Sequence, residues 1–506
     1  MKRNIIYLLM LSLATGCFNA CSDDFLTTEP TGYLSTDDLG EIASKNPDAV
    51  LEPLISGLYS TTFAVATGGT DNNHDDFGQK SIDICTDYMS GDFGSAATAY
   101  NWFMGVYNYT EQIKTGSRSY MAWRYYYRLI KGANEVLDIL GSDETMPESE
   151  TSKAYYGQAK TMRACSYFYL VNLYQHPYSD KKGSPGVPVY RTQLSAEQKG
   201  QSTVSEVYDL IIADLEDAVV ALRGFDRGGD KSKADKYVAF GLLANAYLMR
   251  GETDDYRKAA AAADSVIRSG KFPLMTAYDV INSGFRSVDI PSWIWAIDLT
   301  TENTPALPTF WGHVDYYTYS YCYAGNIKVI DADLYASVPE TDIRRQQFGS
   351  PESEEIGVPP LAPIYKFYDA ARNPGGDRTW TNDEVYMRVE EMYLIRAEAL
   401  ARSGDAAGAK AALKSLLDLR DPAAAANLAS LSDAQLLETI YFNWRIEMWG
   451  EGKTLFAVKR YKKTVRRANN HVMHPGESFA YNYERMIFEI PENEQINNPN
   501  LVPQQE

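Results

Sequence analysis

Apolar residues recur at steps of three and four along much of this chain, a spacing that predicts helices. Trp123, Tyr127, Ile130, Ala133, Leu137 and Leu140 form such a stripe over 120–140, and a second helix is predicted over 154–174, stopped by Pro177. Thr203 and Glu206 have the spacing of a capping box. Val207, Leu210, Ile211, Leu215, Ala218, Val219 and Leu222 follow on one face. Further helices are expected at 384–403 and 405–419. A last one, opened by Ser432 and Gln435, runs to about Trp449.

Two of these segments echo each other. Ala244, Tyr247, Gly251 and Ala259 have the same offsets as Ala397, Leu400, Gly404 and Ala412, with helical periodicity on both sides of each glycine. Small residues let paired helices approach closely, and glycine permits the turn. The pattern is tetratricopeptide-like, with Pro273 near the place where a repeat ends. The copies lie too far apart for a clean tandem solenoid, and an ordinary pair of helical hairpins has the same spacing.

From 271 to 388 the helical period fades. Pro305, Pro308, Pro339, Pro351, Pro359, Pro360 and Pro363 punctuate a stretch rich in Gly, Thr, Asn and aromatic residues. The run from Trp293 to Ile297 reads as a short strand. A long irregular insertion between helical pieces is where binding residues tend to sit.

The first residues form a different pattern. Lys2 and Arg3 precede an apolar run from Ile5 to Ala14, then small residues and two cysteines, Cys17 and Cys21. This is the layout of a secretion signal, and the run is shorter than the roughly 20 residues that span a bilayer. A cysteine at the cleavage site can be lipidated. Leu13 to Cys17 resembles one lipobox and Phe18 to Cys21, more loosely, another. The acidic Ser22-Asp23-Asp24 after Cys21 favours that residue and resembles a surface-export signal. The organisation expected is a signal peptide over 1–20, a lipid anchor and tether over 21–50, an N-terminal helical region over 51–270, a loop-rich ligand-face insertion over 271–388 and a C-terminal helical region over 389–506. At 506 residues more than one structural lobe is expected.

Charge and chemistry narrow the function. A net charge of −19 repels nucleic acid and anionic lipid headgroups, so a neutral ligand is more compatible. The five cysteines and five histidines form no disulfide framework and no HExxH motif. His471 and His474 are the one close histidine pair, and Asp71, Asn73 and Asp75 begin like a calcium loop. Asp76 and Ile82 stand where that loop needs glycine and glutamate, so no metal or cofactor is expected. Motifs of nucleophilic or nucleotide chemistry are absent, and no catalytic residue is assigned.

The chain is rich in tyrosine, with 37 Tyr alongside 8 Trp. A tyrosine ring carries an apolar face and a hydroxyl, which suits a sugar with C–H faces and hydroxyl edges. Two aromatic clusters fall outside clear helices, Tyr100 to Tyr109 and Trp311 to Tyr323. Tyr100, Asn101 and Trp102 in the first, and Trp311, Asp315, Tyr316, Tyr317 and Tyr319 in the second, are the expected glycan contacts. Packing of loops onto helices is the competing role for each ring. Tyr125, Tyr126 and Tyr127 lie on a helix, where core or interface is favoured.

Several motifs then resemble one family. Leu394 to Arg402 with Glu398-Ala399, Arg445 to Lys453, Lys459-Arg460, Ile490-Pro491 and Asn498-Pro499 with Leu501 look like the C-terminal signatures of SusD/RagB outer-membrane lipoproteins. The Cys21-Ser-Asp-Asp-Phe-Leu start and the Arg128, Ala133, Asn134 spacing are similar to that family too. Phe442 to Arg445 and Ala457-Val458 depart from its usual residues at positions that look structural. The resemblance implies a mainly α fold in which tetratricopeptide-like helix pairs support a loop-rich, aromatic-rich ligand face. It implies a non-enzymatic, lipid-anchored protein on the cell surface. Such a protein captures glycan and passes it to a SusC-like TonB-dependent transporter in the outer membrane. A peptide-binding or scaffold lipoprotein of the RagB type is the alternative.

Overall fold

The computed structural model describes residues 36–70, 74–193, 197–351, 359–502 and 504. The signal segment with Cys17 and Cys21, and Asp71 and Asn73, lie outside the described residues. Among the described residues no helix is long and apolar enough to cross a membrane.

The helices form a ladder in which neighbours in sequence are mostly neighbours in space. α1 (Thr36–Lys45) and α2 (Pro47–Thr61) pack on each other, α3 (Gln79–Ser90) is wholly buried, and α4 (Ser117–Ile139) packs on α5 (Glu150–Tyr174). α6 (Val204–Ala221) follows, then α7 (Lys236–Arg250) and α8 (Asp255–Ile267). The capping box that starts α6 is present. The Glu206 amide donates to the Thr203 hydroxyl at 3.2 Å, and the Thr203 amide to the Glu206 carboxylate at 2.7 Å. Such a cap contributes about 1 kcal/mol.

The two glycine echoes turn out to be spatial neighbours. Gly251 ends α7 with φ +65° and Gly404 follows α10 (Val389–Arg402) with φ +87°, a conformation glycine adopts without the Cβ penalty. α10 packs on α11 (Ala406–Leu417) across that turn and, on its other side, on α8. The small residues Ala244, Ala259, Ala397 and Ala412 have no exposed surface. The ladder therefore continues from α8 to α10 although the residues between them, which include the short helix α9 (Phe310–Val314), leave it.

The helical reading of 384–388 is corrected. Residues β6 (Glu384–Arg388) form a strand that pairs antiparallel with the expected strand β4 (Trp293–Ile297), Trp293 opposite Arg388 and Ile297 opposite Glu384. Val385, Tyr386 and Met387 suit a buried strand, and pairing with another apolar strand outweighs their helical spacing. Three further two-stranded ribbons occur among the described residues: β1 (Phe93–Ser95) with β5 (Lys328–Ile330), β2 (Pro185–Pro188) with β3 (Gln201–Thr203), and β7 (Val465–Arg466) with β8 (Ser478–Phe479). α12 (Asp433–Glu447), opened by the Ser432–Gln435 capping box, and α13 (Thr454–Tyr461) close the C-terminal side.

A ring-lined candidate ligand face

One short ribbon brings the two aromatic segments together. In the β1–β5 pair Phe93 faces Ile330, Gly94 faces Val329 and Ser95 faces Lys328. The pairing runs on past the strand, because the Ala96 amide donates to the Ile327 carbonyl at 2.9 Å and the Ala99 amide to the Gly325 carbonyl at 3.1 Å. The loop carrying Tyr100 and Trp102 is thus held against the loop carrying Tyr319, Tyr321 and Tyr323.

Tyr321 is the ring they share. Its centroid lies 5.2 Å from Tyr100 and 5.6 Å from Trp102, both edge to face, and 4.9 Å from His313. His74 stacks on the Trp102 indole at 5.4 Å with an interplanar angle of 11° and is bonded to the Tyr321 hydroxyl. His313 donates to the His74 carbonyl at 2.6 Å. Asn101 and Phe103, on either side of Trp102, have φ of +57° and +63°. Asparagine tolerates that region, but phenylalanine pays of order 1–2 kcal/mol for it, and such strain collects where a side chain must be aimed.

Beyond Tyr321 the surface continues through Tyr319, Tyr323 and Tyr365. Tyr100 is 46% exposed, Tyr323 43%, Tyr319 37% and Tyr365 36%. One side each of Tyr319, Tyr323 and Tyr365 is covered. Arg378 lies over Tyr319 at 4.2 Å, Tyr316 meets Tyr323 at 5.5 Å, and Arg372 sits 4.2 Å from Tyr365 while also facing Tyr317 and Tyr368 at 4.7 Å. Gly375, with φ +63°, passes so close to Tyr323 that a Cβ there would meet the ring at 2.2 Å. Each exposed ring is therefore held by packing on one side and open on the other, as a stacking platform requires.

Other expected contacts are placed inside. Trp311 has no exposed surface. It belongs to a helical turn, Phe310–Val314, and its indole N–H donates to the Asp383 carbonyl at 3.1 Å. Asp315 is equally buried, and its carboxylate accepts from the Tyr317 amide at 2.8 Å, the Asp369 amide at 3.1 Å and the Thr318 hydroxyl. Burial pushes its carboxyl up to about 7 against the pull of those bonds. It organises the loop instead of facing ligand. Tyr316 and Tyr317 are mostly buried, backing Tyr323 and Arg372. In the first cluster Phe103, Tyr107 and Tyr109 are core residues, as are Tyr125 and Tyr126 on α4. His471 is also interior, bonded to the Tyr107 hydroxyl at 2.7 Å and to Asp331 at 3.1 Å. Sequence reasoning left His74, Tyr365, Arg372 and Arg378 unassigned. Their only signal was position in Gly- and Pro-rich loops.

Glu384 props the turn that carries Trp311, accepting from the Phe310 amide at 3.2 Å. Burial pushes its carboxyl up to about 7, with Lys80 and the Phe310 amide pulling back. A folded value raised above the unfolded one favours folding below about 4.5, and that contribution disappears as pH rises through about 7. The urea midpoint of the parent should fall between pH 5 and 7.5. Glu384→Gln should remove on the order of 2–3 kcal/mol of that fall, and an unchanged slope would refute the assignment.

A family model described as starch-binding associating with outer membrane matches residues 63–248, and the SusD family model matches 317–505. A SusD-like protein of Bacteroides ovatus is 25% identical over 284 residues, 54% of this chain and 46% of that protein, so the match spans about half of the relative's length. A SusD-like protein of Formosa agariphila is 23% identical over 429 residues, 76% of this chain and 79% of the relative. The crystal structure of a SusD-like carbohydrate binding protein from Bacteroides vulgatus superposes with a TM-score of 0.73 at 22% identity, covering 90% of this chain and 98% of that one, which shows the shared fold.

Proposed function

Because the chain belongs to the SusD/RagB family, we propose that it is a cell-surface lipoprotein that captures an oligosaccharide or glycan on its ring-lined face. It then delivers the glycan to a SusC-like TonB-dependent transporter in the outer membrane. The observation that carries the reading is the row of half-open rings, Tyr100, Trp102, Tyr319 and Tyr323, drawn from segments more than 200 residues apart and each packed against a neighbouring side chain. Apolar sugar faces stack on such rings, while the tyrosine hydroxyls and Asn101 bond sugar hydroxyls. The acidic Ser22-Asp23-Asp24 after Cys21 supports anchoring through that cysteine with the body facing outward. The tetratricopeptide-like pairs α7–α8 and α10–α11 would meet the transporter, leaving the aromatic loops to face ligand.

Catalysis has no place in this reading. The buried carboxylates near the rings, Asp315 and Glu384, are spent on backbone amides and are not presented to solvent. The test is an affinity gel against a panel of neutral polysaccharides and mucin-type glycans, with peptides as the comparison. The protein should be retarded by at least one neutral glycan and release no reducing sugar from it. Tight binding of peptides with no glycan retained would replace this reading by the peptide one.

A further inference from the structure

A second concave surface lies on the exposed side of α4. Arg124, Arg128 and Lys131 follow one another at spacings of four and three residues, so the three cations share one face. They line a cleft of about 410 Å³ whose walls are Trp123, Tyr127, Tyr190 and Glu494. The chain as a whole carries 67 acidic against 48 basic residues. Even so, among the described residues no carboxylate lies within salt-bridge distance of any of these three cations. The Arg124 guanidinium donates to the Tyr120 hydroxyl at 2.6 Å, and among the described residues Arg128 reaches only the Thr67 carbonyl at 3.5 Å. Like charges at this spacing repel one another on a helix, and among the described residues no direct ion pair offsets that repulsion.

The walls say what kind of anion fits. Tyr127 and Tyr190 are half-buried and meet edge to face at 6.0 Å, and Tyr127 also packs on Trp123 at 4.8 Å. Their rings offer apolar faces beside the cations. Glu494 adds an acceptor for hydroxyl groups and discourages a second negative charge. An extended peptide finds little backbone to pair with. The Pro188 carbonyl already accepts from the Tyr127 hydroxyl at 2.7 Å, the Tyr190 amide donates to the Tyr167 hydroxyl at 2.7 Å, and the Tyr190 carbonyl takes Asn134 at 2.9 Å.

We propose that this cleft is a separate subsite for an anionic sugar, one bearing a carboxylate or a sulfate, held by Arg124, Arg128 and Lys131 with its ring against Tyr127 and Tyr190. Arginine matches the planar carboxylate or the sulfate with paired donors. The subsite does not depend on the ring-lined face, and the two are tested apart. Calorimetric titration of the full chain would use tetragalacturonate, a sulfated carrageenan tetrasaccharide, cellotetraose and hexaglutamate. At least one of the two anionic tetrasaccharides should bind. Cellotetraose and hexaglutamate should bind at least tenfold more weakly. The Arg124→Gln/Lys131→Gln double variant, altered only at exposed positions, should lose tenfold or more for the anionic sugar, and Tyr323→Ala should lose none. Raising sodium chloride from 50 to 500 mM should weaken binding further. Failure of both anionic tetrasaccharides to bind, equal binding by the double variant, or hexaglutamate binding as tightly as the sugar would each overturn the proposal.

Discussion

Glu447→Ala should cost about 3–5 kcal/mol of folding stability, the usual penalty for leaving buried charges without their partner. Glu447 at the end of α12 accepts from Arg344 at 3.1 Å, from Arg388 at 2.8 Å and from Arg420 through both oxygens at 3.0 Å. Around it Arg388 pairs with Glu390 and Glu451, Lys366 with Glu451, Arg420 with Glu390, and Arg344 with Asp342. Four cations thus face four carboxylates, all essentially without solvent, and removing one carboxylate leaves three guanidinium groups short of an acceptor. Burial would raise the Glu447 carboxyl, but the charges of Arg420, Arg388 and Arg344 hold it well below its ordinary value. Glu451 is likewise held down to about 2: burial opposes this, but Arg388 and Lys366 outweigh it. A depressed carboxyl contributes stability above the unfolded value of about 4.5, and that contribution is lost as pH falls through the folded value. Urea unfolding at pH 7 should show the loss. Acid unfolding of the parent should be driven in the window from about 4.5 down to about 2. A change under about 1 kcal/mol in Glu447→Ala would mean that the cluster is solvated in solution.

This cluster matters for the ligand face because it anchors the loops to the helices. Lys366 precedes Phe367, whose ring meets Phe310 at 4.9 Å and Trp311 at 6.3 Å. From Trp311 the chain runs directly into the loop of Tyr319, Tyr321 and Tyr323.

Trp311→Ala is expected to lower stability by about 3–5 kcal/mol, as deletion of a fully buried indole does. Besides its volume, the variant loses the donor to the Asp383 carbonyl. Any loss of glycan binding in it should track unfolding, being recovered at low temperature where the variant is folded. If Trp311→Ala melts like the parent yet no longer binds, the indole faces ligand in solution and the placement described above is wrong.

Much of this was legible in the chain, and the misses have physical causes. The glycine echo at 251 and 404 was readable because a left-handed turn between small-residue helices leaves few alternatives. The capping boxes at Thr203 and Ser432 were readable because they are local. The segment 384–388 was misread because Val385, Tyr386 and Met387 fit a buried strand as well as a helix start, and its partner β4 lies about 90 residues away. The aromatic clusters were found as clusters, but the open side of each ring depends on groups distant in sequence. Arg378 and Gly375 back Tyr319 and Tyr323, and nothing local distinguishes those rings from Trp311. A turn of helix over Phe310–Val314 suffices to send Trp311 inward.

The row of half-open rings is tested most directly by calorimetric titration of the neutral glycan that retards the parent protein. Tyr100→Ala and Tyr323→Ala would be compared with the parent, folding being checked by circular dichroism. Both rings are more than two-fifths exposed, so their removal should change stability by about 0.5 kcal/mol or less. Loss of one stacking face should cost on the order of 1–2 kcal/mol of binding, which is roughly five- to thirtyfold in affinity. Weakened binding by folded Tyr100→Ala and Tyr323→Ala is the expected result. Parental affinity in both variants would contradict the assignment of this face to glycan capture.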